Sequence, residues 1–318
     1  MKLAVSGSLL AWLLSRAGLG SIGSVLRSAD LRLLALALAL GVASTCVQAT
    51  QWSALLRATG LHRTWTRCLR LVFVGNLFNT VLPSSIGGDA ARAVLVAERP
   101  EERVRAASTV VLQRLCNFPG MIVMMALGVL LTLNDADAAK ARPIAIAGFV
   151  LGTLGLVACM TPLLGWISRR AILQRVHASR VVAELLALLG EFRLRRGVLL
   201  AASVRGCLFW GLSVLNQWAF MHAVGIDVSL SMATVVVTVV NALTMLPISI
   251  NGYGIREGGF TALLAVGTLA TKSQAVAVGF CLAAQSLLWA AVGAACFLSL
   301  PSRRRQSEGI AMLPEGAA

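Results

Sequence analysis

Two short stretches of the chain carry a proline, a glycine turn and an arginine at nearly the same spacing. Residues 82–92 read LPSSIGGDAAR, and residues 246–256 read LPISINGYGIR. Proline lacks a backbone N–H and ends a helix, whereas glycine allows tight turns that expose amide groups. Exposed amides at a helix N-terminus favour an anion, and the forked donors of Arg92 and Arg256 suit a phosphate. The two stretches therefore predict loops that bind a phosphate-bearing group.

The candidate binding residues lie in or beside these two stretches. They are Asn79, Ser85, Gly87, Gly88, Asp89 and Arg92 in the first copy and Asn241, Ser249, Gly252, Gly254, Arg256 and Glu257 in the second. Pro83 and Pro247 are the predicted helix breakers. Arg114, which lies beside Gln113 in a later apolar segment, is a third candidate contact to a charged ligand.

The two stretches belong to a longer internal repeat. Gln51-Trp52 followed by Gly60 recurs as Gln217-Trp218 followed by Gly225. The separation between equivalent residues is nearly constant, from about 164 residues for the prolines to about 166 for the Gln-Trp pairs. Self-similarity at a fixed spacing indicates a duplicated structural unit, so we expect two halves that are built alike.

The composition places these halves in a membrane. Hydrophobic residues make up 58% of the chain and charged residues 13%, and the mean hydropathy is +0.81. A soluble globular chain is only about half apolar and about a quarter charged. The 318 residues have room for about six to eight spans of about 20 residues each, but not for a large soluble catalytic domain between them. We predict an all-α fold, a polytopic bundle of transmembrane helices.

The net charge of +15 is explained by membrane topology. The basic residues lie in short loops between apolar segments, which argues against a nucleic-acid-binding surface. Such loops favour the cytoplasmic side, so the basic loops and the C-terminal tail are expected to face the cytoplasm. Anionic lipid at that face would attract the same residues.

The sequence contains no motif for a metal, a cofactor or hydrolysis of ATP. The seven cysteines include no CxxC pair, and the three histidines are scattered. This pattern predicts neither a zinc site nor a disulfide framework. Walker, HExxH and GxSxG sequences do not occur. We therefore expect no cofactor, no metal and no enzymatic activity.

The apolar pattern divides the chain into five segments. They are a short apolar and interfacial segment (1–30), a first half-repeat (31–165), a basic amphipathic cytoplasmic linker (166–196), a second half-repeat (197–299) and a basic tail expected to be disordered (300–318). The predicted spans are 31–56, 106–133, 143–165, 197–224 and 273–299. The run 71–82 before the first proline is too short to cross a bilayer. We therefore predict two re-entrant Pro/Gly hairpins, at about 71–103 and 231–271.

Loop charges predict that the two hairpins enter the membrane from opposite sides. The loop before the first hairpin is rich in arginine and has no acid, its basic residues being Arg57, Arg63, Arg67 and Arg70. The loop 225–230 before the second hairpin carries only Asp227. An inverted repeat follows, and in transporters broken segments at equivalent positions of inverted halves mark the substrate site.

These features also have a purely structural interpretation. Proline and glycine can kink helices, and each arginine can snorkel to the interface or pair with Asp89 or Glu257. The two acids are expected to orient the arginines, and alternatively they carry coupling protons. Because the whole pattern recurs in register, we favour the binding interpretation.

The residues of both stretches resemble one known family. The segments NTVLPSSIGGDAAR (79–92) and PISINGYGIRE (247–257) are similar to the lysylphosphatidylglycerol synthase transmembrane-region family, also called flippase-like domain proteins. The resemblance extends from about residue 15 to about residue 300. Gln51-Trp52 and Gln113-Arg114 stand where that family commonly has Arg-Trp and Glu-Arg. Residue 113 is therefore not acidic here, and Arg114 is the residue that matches.

The resemblance implies a multi-pass inner-membrane protein that moves lipids or lipid-linked molecules between leaflets. Some members carry a soluble aminoacyl transferase domain that makes lysyl-phosphatidylglycerol, and we expect no such synthesis by this chain. We expect a flippase for an anionic phospholipid, a glycolipid or a lipid-linked precursor.

Two alternatives to a flippase remain open. One is a non-transporting scaffold of a lipid or glycolipid biosynthetic complex, with a lipid-modifying enzyme or a glycosyltransferase as its partner. The other is a membrane enzyme acting on lipid, for which only Asp89 and Glu257 are candidate acid and base.

Overall fold

The structure is a computed structural model that describes residues 19–81, 87–133, 142–143, 146–151, 153–154, 196–244, 254–266 and 270–300. Every regular element in these ranges is a helix, which confirms the predicted all-α class. The helices are α1 (Leu19–Arg27), α2 (Leu31–Ala58), α3 (Trp65–Val81), α4 (Gly87–Val96), α5 (Glu102–Leu131), α6 (Arg196–Ala223), α7 (Leu230–Thr244), α8 (Ile255–Val266) and α9 (Lys272–Leu298).

Four helices, α2, α5, α6 and α9, are long and apolar enough to cross a membrane. They contain 28, 30, 28 and 27 residues, and the shortest is about 40 Å long, more than the hydrocarbon core of a bilayer. Each agrees within a few residues with a span predicted from the sequence. The predicted span 143–165, the linker and the tail lie largely outside the described residues.

The outer surface of α6 shows why this chain needs a lipid environment. Leu200, Val204 and Leu208 recur every four residues on one face of the helix, and each is more than half exposed. Their aligned side chains form a continuous apolar stripe, which water would penalise and acyl chains would accept.

The order and lengths of the helices repeat along the chain. Helices α2 to α5 contain 28, 17, 10 and 30 residues, and α6 to α9 contain 28, 15, 12 and 27. Each set has its own buried apolar cluster. The first includes Trp52, Leu71, Val72, Ala93 and Val96, and the second includes Phe220, Val236, Phe260, Leu264 and Val278.

The first helix of each set ends in the same backbone motif. Gly60 and Gly225 follow α2 and α6 with φ angles of 83° and 78°, a left-handed conformation that glycine adopts without strain. The N–H of Leu61 donates to the carbonyl of Leu56 at 3.0 Å, and the N–H of Ile226 donates to that of Met221 at 2.9 Å. These are Schellman caps, and each residue of one cap lies 165 positions from its counterpart in the other.

Helices α2 and α6 pack against each other in antiparallel directions through reciprocal bonds. Gln51 donates from its side chain to the carbonyl of Ala202 at 2.9 Å, and Asn216 donates to the carbonyl of Ala37 at 2.6 Å. The donors Gln51 and Asn216 are 165 residues apart in the sequence, and so are the acceptors Ala37 and Ala202. This is the exchange of partners that a pseudo-two-fold axis perpendicular to both helices would produce.

This pairing corrects the residue equivalence inferred from the sequence. The Gln-Trp pattern aligns Gln51 with Gln217, one residue away from the structural counterpart Asn216. Gln217 instead donates to the hydroxyl of Ser213 one turn back on its own helix, at 3.2 Å. Asn216 therefore makes the contact between helices that corresponds to that of Gln51, and Gln217 does not.

The short helices α3 and α4 return the chain to the end from which it started. Arg63, just before α3, donates to the carbonyl of Val96 at the end of α4 (3.1 Å) and to the carboxylate of Glu102 at the start of α5 (2.6 Å). In the second half, Gln274 at the start of α9 donates to the carbonyl of Gly225 before α7 at 2.9 Å. Each short pair thus begins and ends on one side of the molecule.

The two short pairs begin at opposite ends of the molecule. The loop before α3 follows the C-terminus of α2. The loop before α7 follows the C-terminus of α6, where the N–H of Asp30 just before α2 donates to the carbonyl of Ala223 at 2.9 Å. The two loops are therefore separated by the length of α2, about 42 Å.

The two halves cross each other unequally. At the crossing of α5 and α6 the backbones touch, because a Cβ on Gly120 would lie 2.7 Å from the backbone of Gly206. The counterparts of these residues 165 positions away are Gln285 and Gly41. There α2 and α9 meet through the long side chain of Gln285, which packs against Gly41.

Candidate functional site

Arg92 on α4 is buried in the first half and held from several sides. Its side chain is only 7% exposed, and its guanidinium donates to the carboxylate of Asp89 one turn earlier and to the side-chain oxygen of Gln113 at 3.1 Å. The guanidinium carbon also lies 5.1 Å from the centre of the Trp52 ring, which is a cation–π contact. A buried charge is tolerated only with such partners, so the geometry of Arg92 is fixed.

Two glycines allow α3 and α4 to approach closely around this arginine. A Cβ on Gly75 would lie 2.9 Å from the Cδ of Arg92, and a Cβ on Gly88 would collide with the carbonyl oxygen of Gly75. Asn79 on α3 accepts a hydrogen bond from the N–H of Gly88 at 2.9 Å. This bond satisfies one of the N–H groups that the start of α4 leaves without a helical partner.

Asp89 is shared between two arginines. One carboxylate oxygen accepts from Arg92 and the other accepts from Arg114 on α5. The Asp89 side chain is 12% exposed, whereas that of Arg114 is 50% exposed. In the described part of the chain, this cluster therefore places one carboxylate between two guanidinium groups.

Hydrogen bonds between side-chain amides connect this cluster to the second half. Gln113 donates to the carbonyl of Gln48 at 2.8 Å and to the side-chain oxygen of Gln51 at 3.2 Å. Gln51 in turn donates to the side-chain oxygen of Asn117 at 2.8 Å and to the backbone of α6 at Ala202. The position of Arg92 therefore depends on a buried chain of amides that ends at the interface between the halves.

A cavity of about 490 Å³ opens beside the cluster. It lies among α2, α3, α4, α5, α6 and the end of α7. Its lining residues are Gln48, Val72, Gly75, Asn76, Asn79, Asp89, Arg92, Gln113, Arg114, Asn117, Phe118, Phe209, Trp210 and Thr244. The volume is in the range of small-molecule sites, and the wall combines cations and amides with three aromatic rings.

The structure brings together the candidates of the first half. Asn79, Asp89, Arg92 and Arg114 all line the cavity, and Gly88 packs directly behind Asn79. Gly87 is the first residue of α4 and Gly88 the second. Asp89 and the two arginines thus form one hydrogen-bonded group, Asn79 lines the same cavity, and the use of these residues by a ligand stays a prediction.

The candidates of the second half form a separate cluster in the described part of the chain. Glu257 is 2% exposed and accepts from the N–H of Gly254 at 2.6 Å, and Arg256 donates to its other oxygen at 3.3 Å. Gly279 on α9 leaves the space that the Glu257 side chain fills. Asn241 donates to the carbonyl of Val237 within its own helix at 2.8 Å. None of these residues is among the described residues that line the cavity.

The different spacing of acid and arginine explains why the two clusters differ. In α4 the acid precedes the arginine by three residues, so both lie on one helical face and the carboxylate has an oxygen left for Arg114. In α8 Glu257 follows Arg256 directly, and its carboxylate folds back to the helix start. Of the other predicted residues, Ser85, Ser249, Gly252, Pro83 and Pro247 lie outside the described residues.

Sequence reasoning did not predict several residues of the site. Trp52 and Gln113 hold Arg92, and Asn117, Phe209 and Trp210 complete the wall. Trp52 is fully buried and donates to the hydroxyl of Thr109 at 3.0 Å. The recurrence of Gln-Trp in the two halves was the one available signal, and it marked packing between helices.

Comparison with known proteins identifies relatives of the whole chain. A family described as "Lysylphosphatidylglycerol synthase TM region" matches residues 1–296. A UPF0104 membrane protein of Pyrococcus horikoshii is 22% identical over 289 residues, covering 82% of this chain and 85% of its own length. The match therefore includes the four apolar helices and both short helical pairs.

Proposed function

Because the chain belongs to the lysylphosphatidylglycerol synthase TM-region family, we propose that it moves an anionic lipid between the leaflets of a membrane. The substrate class is an anionic phospholipid, a glycolipid or a lipid-linked precursor. The observation that carries this proposal is the cavity at Arg92, Asp89 and Arg114, which places two arginines and one aspartate among helices long enough to span a bilayer.

Placing charged side chains inside a membrane is costly in free energy, so such residues usually have a function. Polar groups within the hydrocarbon region are rare, and they mark substrate pathways more often than they serve stability. Among the described residues of the cluster, one carboxylate faces two arginines, so we propose that a ligand adds a second negative charge. A lipid phosphate supplies that charge while its acyl chains stay in the bilayer.

The arrangement of the two halves supports alternating exposure of such a site. The short pairs α3–α4 and α7–α8 begin at opposite ends of α2 and return to their own ends, as expected of two inverted re-entrant hairpins. We propose that the hairpins enter from opposite leaflets and that rocking of one half against the other exposes the cavity to each side.

The proposal includes a location and partners. The basic loops and the C-terminal tail face the cytoplasm, and the membrane is an inner membrane of bacterial type. Membrane lipids are the ligands, and a lipid-modifying enzyme or a glycosyltransferase is the protein partner we propose. The chain acts as a transporter rather than as an enzyme.

Lipid translocation by the purified protein in vesicles tests the function. Vesicles containing fluorescent phosphatidylglycerol are treated with a membrane-impermeant quencher, and the protected fraction reports transfer between leaflets. We expect Arg114→Ala to slow transfer by about tenfold or more, because a charge-assisted hydrogen bond contributes about 1.5–3 kcal/mol. Arg205→Ala is the matched control, since Arg205 on α6 donates to the carbonyl of Ala201 one turn back and is not among the described residues that line the cavity.

The outcomes separate the three functional classes. Protein-dependent transfer that Arg114→Ala abolishes and Arg205→Ala preserves supports the flippase. Vesicles in which the wild-type chain transfers none of the tested anionic lipids, while it still copurifies with a biosynthetic enzyme, indicate a scaffold. A new lipid species formed by the purified chain indicates an enzyme.

A further inference from the structure

We infer that Gln51 is a positioning residue of the cavity, which fixes the orientation of Arg92 through Gln113 and does so from a contact with the second half of the molecule. The inference rests on the proposed function, because it concerns how that site is prepared for a phosphate-bearing ligand. Gln51 is fully buried and is not among the described residues that line the cavity. It therefore acts on a ligand through its neighbours.

The arginine end of the amide chain allows one orientation of Gln113. A guanidinium carries five N–H donors and no acceptor, so Gln113 has to turn its side-chain oxygen toward Arg92, which donates to it at 3.1 Å. The NH₂ group of Gln113 then points the other way. It donates to the carbonyl of Gln48 at 2.8 Å and to the side-chain oxygen of Gln51 at 3.2 Å.

The other end of the chain imposes the same direction. The backbone carbonyl of Ala202 on α6 only accepts, so Gln51 has to turn its NH₂ group toward it, at 2.9 Å. The same NH₂ group donates to the side-chain oxygen of Asn117 at 2.8 Å, and the oxygen of Gln51 is left facing Gln113. Turning either glutamine over would bring two acceptors or two donors face to face. The chain therefore has a single fully bonded arrangement.

This arrangement fixes the part of Arg92 that a ligand can use. Asp89 and Gln113 each accept from one terminal nitrogen of the guanidinium, and its central carbon lies 5.1 Å from the centre of the Trp52 ring. Together these contacts hold the plane and the rotation of the group. Bidentate recognition of a phosphate requires two N–H groups held in one plane. Because Arg92 lines the cavity with its plane already held, binding does not have to order it.

The second half repeats the contact between helices but not its extension to an arginine. Asn216, the counterpart of Gln51, donates to the carbonyl of Ala37 at 2.6 Å. The residue 165 positions after Gln113 is Val278, which is buried and has no hydrogen-bonding side chain. The bond of Asn216 therefore joins α2 to α6 without an amide at this position to carry the connection further.

Ligand binding and the contact between the halves should support each other. If the bond from Gln51 to α6 favours the orientation of Arg92 that binds phosphate, bound phosphate favours that bond by the same factor. The site in the first half is thus completed by a backbone group of the second half.

A comparison of Gln51→Met with Asn216→Leu separates positioning from helix packing. Each variant replaces a buried amide by an apolar side chain of similar size and removes the donor to a backbone carbonyl between α2 and α6. The full-length protein in neutral detergent is mixed with phosphatidylglycerol, and native mass spectrometry counts the bound lipid. We expect Gln51→Met to retain about tenfold less lipid, the factor of one charge-assisted hydrogen bond, and Asn216→Leu to retain the wild-type amount. Equal retention by the two variants overturns the inference.

Two further variants identify the side chain through which Gln51 acts. Gln113→Met breaks the same connection and should cause the same loss of lipid, so the test survives if Gln51→Met fails to fold. Arg92→Lys keeps the charge and lacks the planar fork. In the Arg92→Lys background, Gln51→Met should therefore reduce retention no further. An undiminished loss in that background would show that Gln51 does not act through Arg92.

Thermal unfolding tests the connection in the absence of any lipid. Gln51 and Arg92 are joined through Gln113, so the melting-temperature shift of the double variant Gln51→Met with Arg92→Lys should be smaller than the sum of the two single shifts. Strictly additive shifts overturn the inference, whichever lipid the protein binds.

The positioning and the proposed function can fail separately. A wild-type protein that neither retains nor transfers phosphatidylglycerol, but shows non-additive melting shifts, would defeat the proposed flippase for this lipid and leave the positioning of Arg92 intact. Transfer of phosphatidylglycerol by the wild type together with additive shifts would defeat the positioning and leave the flippase intact.

Discussion

Gln113 donates a hydrogen bond to the side-chain oxygen of Gln51 at 3.2 Å, although 62 residues separate them in the sequence. Both amides are at most 2% exposed, and Gln113 also supports Arg92. Positions 51 and 113, where the sequence resemblance implies arginine and glutamate, are therefore direct neighbours. A neutral amide pair occupies the place where that resemblance implies an ion pair.

The contact between Gln51 and Gln113 predicts that an Arg–Glu ion pair can replace the two amides. Gln51→Arg alone places a second cation near Arg92 without a partner, and we expect it to cost about 3–5 kcal/mol of stability. Adding Gln113→Glu supplies the missing charge and should recover most of that loss. Thermal unfolding of the single and double variants in detergent measures the coupling, and strictly additive effects would show that the two side chains do not interact.

Arg92 and Arg114 should have separable roles. Arg92→Ala removes the partner of Gln113, Asp89 and Trp52, so we expect a loss of about 2–4 kcal/mol of stability. Arg114→Ala leaves Asp89 paired with Arg92 and removes a half-exposed side chain, so stability should change by less than about 1 kcal/mol.

Unfolding and lipid retention, measured on the same preparations, check this division. Arg114→Ala should unfold like the wild type and retain about tenfold less phosphatidylglycerol. If Arg114→Ala instead unfolds as readily as Arg92→Ala, its role is structural and the assignment is wrong.

The contact between α3 and α4 predicts that Gly88 cannot be enlarged. A methyl group there would meet the carbonyl of Gly75 and the side chain of Asn79, so Gly88→Ala must push the two helices apart. We expect a loss of about 1–3 kcal/mol, the usual cost of overpacking.

Gly258 in α8 provides the control for that substitution. An added Cβ at Gly258 meets nothing within 4 Å, and alanine is the better helix former by about 1 kcal/mol. Gly258→Ala should therefore be neutral or stabilising in the same melting experiment. Two equal losses would mean that the space around Gly88 does not decide the outcome.

The positions of the two short helical pairs at opposite ends of the molecule predict which residues can be labelled from each side of a membrane. His62 and Arg99 flank the first short pair, Asp227 and Lys272 flank the second, and all four are exposed. Cysteines placed at His62 and Arg99 should react with a membrane-impermeant maleimide from one side, and cysteines at Asp227 and Lys272 from the other. The unsubstituted chain sets the background, and labelling of all four from one side would rule out inverted halves.

The sequence was sufficient to predict the four long helices of the described residues and the pairing of Asp89 with Arg92. Apolar length alone located four long helices, because a bilayer requires about 20 apolar residues. Asp89 and Arg92 lie three residues apart on one helix, so their pairing is a local consequence of helical spacing. Arg114 could be suggested because a cation within an apolar segment needs a partner.

The remaining contacts of the site depend on packing between distant segments. Trp52 meets Arg92, and Gln51 meets Asn117, 66 residues away, only after α2, α4 and α5 have assembled. The equivalence of Gln51 with Asn216 was missed because the two residues differ in type, although both carry a side-chain amide. The glutamine that matches Gln51 in type lies one residue later, at Gln217. The sequence pattern indicated that Arg256 is equivalent to Arg92. However, Glu257 directly follows Arg256, so this acid and arginine do not lie on the same helical face as Asp89 and Arg92 do.

The unequal crossings of the two halves give the molecule an uneven stiffness. Where Gly120 meets Gly206, the two backbones are in direct contact. A tilt of α5 against α6 would break these contacts, because no side chain lies between the helices that could change its conformation to maintain them. Where Gln285 meets Gly41, a flexible side chain fills the gap and can change rotamer as the distance changes. The seam between α5 and α6 is therefore rigid, and the seam between α2 and α9 is the compliant one.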